Sequence, residues 1–189
     1  MKKIKYAFLC LFLSGCIFGV SQTSKFYSLT TIETMPVSQS EDLFIGVDKV
    51  DLPKYMDRAQ IVTQNKNNTE VLISEYNRWV ESPSVLCTRI LTQSLNYLLP
   101  KSDAKIRTLG SEKFDRRVWV QVIQMDGILG NQAELTAWYI IKNKDGKTII
   151  RQKFTDKIEI GKTYDDLVVG YSKLWSKLSQ DIAKQLIQK

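Results

Sequence analysis

Eight apolar residues, Tyr6 to Leu13, stand between a basic start at Lys2, Lys3 and Lys5 and the small pair Ser14-Gly15. That run limits what the chain can become. A basic start, a short greasy segment and small residues before a cut point make a secretory signal peptide. A bilayer-spanning helix needs roughly twenty apolar residues, so the run engages a membrane during export and cannot stay as a span. Export then restricts the cysteines. Cys10 lies in the apolar run, Cys16 follows Gly15, and only Cys87 remains. A lone thiol forms no internal disulfide, even in an oxidising compartment. The folded part has to hold by packing alone.

The end of the run is more specific than an ordinary cleavage site. Leu13-Ser14-Gly15-Cys16 resembles the bacterial lipobox, in which the Cys thiol is acylated, the peptide is cut before it, and the new amino group is acylated too. The bland alternative makes Cys16 one more residue of a signal peptide cut elsewhere, but no A-x-A site follows between Gly15 and Lys25. A single acyl chain holds only reversibly, at about 0.8 kcal/mol per buried CH₂, while two or more hold well. The three chains of a lipoprotein, carried on Cys16, would be the membrane anchor. Asp directly after the Cys tends to retain such proteins at the inner membrane. Ile17 stands there instead, so the expected location is the periplasmic face of the outer membrane. This divides the chain into a signal peptide (1–15), a lipidated tether (16–24) and one folded domain (25–189). Eight extended tether residues reach at most about 26–29 Å, which keeps the domain close to the membrane surface.

The formal charge of +7 includes the three lysines of the signal. Without them the 27 basic residues exceed the 20 acidic ones by only four, with both signs interspersed. That is no nucleic-acid stripe, and export argues against nucleic acid as well. The chain has no histidine, which removes Ser-His-Asp and Cys-His nucleophile systems and His-ligated metals. No G-x-S-x-G, P-loop or G-x-G-x-x-G string occurs. Carboxylate-only chemistry stays open with nothing pointing to it, so neither enzymatic activity nor a cofactor or metal is expected.

Beyond the tether, Lys25 to Thr30 and Leu43 to Val50 read as strands, with a loop from Thr34 to Asp42. Pro53 stops the second strand. After the Leu52-to-Ala59 connection, Gln60 to Gln64 and Glu70 to Ser74 flank the turn Asn65-Lys66-Asn67-Asn68 as a hairpin. Ser82-Pro83 predicts a helix start, Leu91, Leu95 and Leu98 share a face with Cys87, and Pro100 ends the element. Cys87 fits a small core residue better than a reactive thiol, since no cation shares its helical face. Strands follow at Ala104 to Leu109, Val118 to Met125 and Ala133 to Ile141. Asp145-Gly146 is a hairpin signal before Thr148 to Thr155. Thr163 and Asp166 form a capping box for a helix to Lys189, along which Leu167, Tyr171, Leu174, Leu178, Ile182 and Leu186 keep a 3.6-residue period. The expected fold is α/β of the α+β kind, a single domain in which two helices pack on a largely antiparallel sheet.

Four segments together resemble the PqiC/YmbA family, the auxiliary lipoproteins of ABC-type transport systems. These are Phe26-Tyr27-Ser28-Leu29, the run from Gly46-Val47 through Val50-Asp51-Leu52-Pro53-Lys54-Tyr55-Met56-Asp57-Arg58-Ala59 to Thr63, Glu75-Tyr76-Asn77-Arg78-Trp79-Val80-Glu81, and Leu174 to Ala183. Ala59 stands where members often carry Pro, and Val80, Ser82 and Pro83 depart from the usual third segment. The resemblance implies a periplasm-facing, membrane-tethered partner of a mammalian-cell-entry (MCE) domain protein, in a system that moves lipid between two membranes and protects envelope integrity. On residues alone, the Tyr55 to Arg58 stretch is a strand connection and Trp79 a core lid. Aromatics, Met and Arg also suit an interface, which makes Tyr55, Met56, Arg58, Arg78 and Trp79 the candidate partner-binding residues. Two other functions compete: a lipoprotein that scaffolds envelope assembly without lipid traffic, and a lipid-anchored hydrolase. Homo-oligomerisation is left open.

Overall fold

The structure is a computed structural model and describes residues 22–187 apart from 32–34, 38–40, 68, 109 and 111. Cys16, the signal segment and most of the tether lie outside the described residues, as does part of the expected 34–42 loop. The elements run β1 (Lys25–Tyr27), β2 (Phe44–Val47), β3 (Gln60–Gln64), β4 (Val71–Trp79), α1 (Pro83–Leu98), β5 (Asp103–Ile106), β6 (Arg116–Ile128), β7 (Gln132–Asn143), β8 (Thr148–Glu159) and α2 (Tyr164–Leu186). They make one α+β domain. Two helices accompany a five-stranded sheet ordered β5-β2-β6-β7-β8 and a three-stranded sheet ordered β1-β4-β3.

The β6-β7-β8 part is an antiparallel meander, with Gly146 at φ 81° in the Asp145-Gly146 turn as the hairpin signal requires. Alternation along β7 puts Ala133, Leu135, Ala137, Tyr139 and Ile141 out of water on one face. The periodic stripe of α2 packs against that face, and all six of its expected apolar residues are buried. The polar tips inside are satisfied, as buried Tyr and Trp require. Tyr139 Oη donates to Asp181 at 2.8 Å, Tyr171 Oη to the Met125 carbonyl at 2.9 Å, and Trp175 Nε1 points at Met125 Sδ, 3.4 Å away. Thr163 and Asp166 close the capping box: the Asp166 amide donates to Thr163 Oγ1 at 3.1 Å, and the Thr163 amide to Asp166 Oδ2 at 3.0 Å. Those Thr163 bonds hold the Asp166 carboxyl below its ordinary value.

Three features depart from the sequence reading. The strands divide into two sheets, because β1 and β3 both pair with β4, and Gln64 of β3 meets β6 through a side-chain hydrogen bond to Asp126 at 2.8 Å. β1 runs parallel to β4, and β2 parallel to both β5 and β6, which puts parallel pairs into an otherwise antiparallel arrangement. β4 continues past Ser74 to Trp79, since β1 partners its last three residues and the Trp79 amide donates to the Ala59 carbonyl at 2.7 Å. Among the described residues no helix is long and apolar enough to cross a membrane. Cys87 is buried and free, and burial, with Asp57 nearby, pushes its thiol far above the ordinary value.

Candidate partner-binding surface

Pro53 organises the Leu52-to-Gln60 connection. Its carbonyl accepts from the amides of Met56 at 2.9 Å and Asp57 at 3.2 Å, which closes a tight turn. The turn inserts Met56 into the core, where it is 4% exposed. Asp57 is then placed at the start of α1. Its carboxylate accepts from the Ser84 amide at 3.0 Å and from Ser84 Oγ at 2.9 Å. Ser82 occupies the N-cap position, as expected, but its side chain caps nothing and lies 3.2 Å from Ser84 Oγ. The helix therefore takes its capping acceptor from a residue far upstream, and a negative group at that end is favoured by the helix dipole as well.

Tyr55 turns the other way. Its ring is 41% exposed, and its hydroxyl donates to Asp126 Oδ1 at 3.2 Å. Asp126 on β6 is only 9% exposed and also accepts from Gln64 Nε2 at 2.8 Å. Burial raises the Asp126 carboxyl above its ordinary value, and burial together with Asp126 pushes Tyr55 up to about 12. A buried carboxylate beside a tyrosine is a feature to test for catalysis. Here the adjoining hollow, lined by Gln64, Gln124, Ile128, Gln132 and Glu134, holds about 10 Å³, room for one water and not for a substrate. The pair ties the connection to β6.

Arg58 and Arg78 come together on the three-stranded sheet. Phe26, Arg78 and Gln60 are direct cross-strand partners and so share one face, and Arg58 Nε donates to Gln60 Oε1 at 3.3 Å. Phe26 is 63% exposed. Arg78 Nε is buried without an acceptor among the described residues, while the residue as a whole is half-buried. Trp79, one residue on, faces the core at 5% exposure, its ring 6.4 Å from that of Tyr171. Of the five candidates, Met56 and Trp79 are thus core residues and unavailable as contacts. Tyr55 stands apart against Asp126, and only Arg58 and Arg78 are brought together.

The sequence reading missed the rest of this surface. Val71, Leu72 and Ile73 of β4 are all exposed, although neighbouring strand residues point to opposite faces, so this arm of the hairpin is open on both sides. The signal was three apolar residues in a row without alternation. Phe26 enters the sequence reading in a strand and in a segment of the family resemblance, and not as a contact residue. Aromatic, aliphatic and Arg side chains with few lysines are the composition of a protein interface. Among the described residues no group of three Cys, Asp or Glu gathers as a metal would need.

Two solved structures share this architecture. A solved structure of an uncharacterised protein superimposes with a TM-score of 0.73 at 21% identity, over 87% of this chain and 99% of its own. A Xanthomonas campestris protein of the DUF330 family gives 0.73 at 9% identity, over 86% and 95%. A PelC dodecamer from Paraburkholderia phytofirmans gives 0.47 at 10% identity, over 79% and 94%. A comparison with curated proteins returns no match. The family model described as the ABC-type transport auxiliary lipoprotein component matches residues 27–183. It takes in β2 to β8, α1, most of α2 and the connection, and with it the chain belongs to this PqiC/YmbA-type family of membrane-anchored lipoproteins associated with transporters.

Proposed function

We propose that acyl chains on Cys16 hold this protein at the periplasmic face of the outer membrane. There it serves as a non-enzymatic auxiliary subunit of an MCE-type system that moves phospholipid between inner and outer membranes and supports envelope integrity. The observation that carries the reading is the family match over residues 27–183, standing directly behind Leu13-Ser14-Gly15-Cys16. Ile17 in place of Asp favours the outer membrane. Phe26, Arg58 and Arg78 supply an exposed aromatic and two cations for an MCE-domain partner, with Val71 to Ile73 exposed at the far end of β4. No reaction step falls to any residue, and the covalent lipid is the only attached group the reading needs.

Growth with a labelled fatty acid should mark the wild type, and Cys16→Ser should lose both label and membrane association. Sucrose-gradient fractionation should place the protein with porins. Label persisting on the Ser variant, or sedimentation with inner-membrane markers, would reject the anchor as described. Pull-down of the lipidated protein from solubilised membranes should recover an MCE-domain protein. Recovery of wall-synthesis proteins instead would point to the scaffold.

A further inference from the structure

α2 covers one face of the β6-β7-β8 meander, and the register shows what the opposite face carries. Trp119, Ile140 and Arg151 form one cross-strand row, Gln121, Trp138 and Lys153 the next, and Arg117 faces Lys142 beside them. Both tryptophans are half-buried, and the Arg151 guanidinium lies over the Trp138 ring, 5.4 Å from its centre. Arg117, Lys142, Arg151 and Lys153 have no carboxylate within ion-pair distance among the described residues. The acids around them are engaged elsewhere. Asp48 pairs with Arg107, Glu134 with Lys157 at 2.8 Å, Asp51 accepts from Gln121 at 3.3 Å, and Asp145 in the turn accepts from Asn143 at 3.4 Å. Amide hydrogen bonds leave Asp51 and Asp145 charged, so the four unpaired cations on this face, set among indole rings, exceed the unpaired acids by two.

We propose that this uncovered sheet face docks on the anionic phospholipid headgroups of a bilayer. Lys is depleted at protein interfaces, whereas lysines beside an anionic bilayer each add attraction, and indole rings settle at the headgroup layer. A hollow of about 290 Å³ on the face combines Arg117 and Lys142 with Trp119 and Ile140, and Asp48 at its rim is held by Arg107. Two cations over an apolar floor match a phosphate diester with its glycerol carbons. This contact goes beyond the transporter reading and stands whether or not Cys16 is acylated.

The test uses the chain from Ile17 onward without acyl chains. It retains every core residue among those described, the first being Leu29, and its melting temperature checks that it is folded. It should co-sediment with phosphatidylcholine vesicles containing phosphatidylglycerol and not with phosphatidylcholine alone, and added salt should release it. Arg117→Gln with Lys142→Gln should weaken binding about thirtyfold at an unchanged melting temperature. Arg151→Gln with Lys153→Gln on the exposed side of β8 should act in the same direction. Lys173→Gln with Lys184→Gln on the exposed side of α2 should leave binding intact. Equal binding to both vesicle types, no binding to either, or an equal loss from the helix variant would overturn the proposal. So would a dimer in sedimentation equilibrium that Arg117→Gln with Lys142→Gln dissociates, which would give the face to a second copy.

Discussion

The two open sheet surfaces are built from different side chains. On the three-stranded sheet, Phe26 is exposed beside Arg58 and Arg78, and Val71, Leu72 and Ile73 are exposed at the other end of β4. On the five-stranded sheet, Trp119 and Trp138 lie half-buried among Arg117, Lys142, Arg151 and Lys153. The first offers aliphatic and aromatic area with guanidinium groups that form directed bonds, which suits one protein partner. The second offers spread positive charge with amphipathic rings, which suits a surface without fixed geometry. A protein standing between a bilayer and a transporter needs both kinds of contact. What separates them is the ratio of lysine to exposed aliphatic residues, since each face carries aromatics and Arg.

The comparison breaks most visibly if the candidate residues cannot be sorted by burial. Met56→Ala should destabilise the fold by about 2–5 kcal/mol, the usual cost of truncating a buried side chain, while the folded remainder binds its partner normally. Denaturant unfolding and pull-down on the same variant measure both, and a stable variant that no longer binds would return Met56 to the interface. Arg58→Ala with Arg78→Ala should do the reverse. Partner capture should fall by about 2 kcal/mol or more, a roughly thirtyfold weakening, with little change in melting temperature and unaltered vesicle binding. Loss of vesicle binding in that variant would merge the two surfaces into one.

The meander and α2 were legible because strict alternation and a 3.6-residue period survive wherever one face is buried, as Ala133 to Ile141 and Leu167 to Leu186 show. The division into two sheets was not. It depends on which strands β1 and β3 choose, and the Lys25–Asn77 and Gln60–Arg78 pairings leave no local trace in the sequence. The candidate site was legible as a stretch and not as a surface. Tyr55, Met56, Asp57 and Arg58 are consecutive, yet they end in four environments: against Asp126, in the core, on the end of α1 and beside Gln60. Asp57 in particular carries no local sign of its role, because the helix it caps starts well downstream.

That capping bond gives a smaller effect that sharpens the comparison. Asp57→Ala should cost about 1 kcal/mol by leaving the Ser84 amide of α1 without its acceptor, and Asp57→Asn should restore most of it. Equal losses from both variants would show that the capping bond is not what Asp57 contributes. The smallest effect concerns Asp126, whose carboxyl binds its proton more tightly folded than unfolded. Its favourable contribution is present in acid and is lost as pH rises through the folded value, so acidification should stabilise the wild type relative to Asp126→Asn, which carries no charge. A stability difference between the two that is flat across the carboxylate range would remove the buried-carboxylate account.

The most direct test of the transporter reading is photo-crosslinking in living cells from a benzoylphenylalanine at position 26, where an exposed aromatic already stands in the row with Arg78. The account predicts one dominant crosslink, to an MCE-domain protein, that disappears in the Arg58→Ala, Arg78→Ala background. Crosslinks to a wall-synthesis protein, to other copies of this chain alone, or to nothing would contradict it.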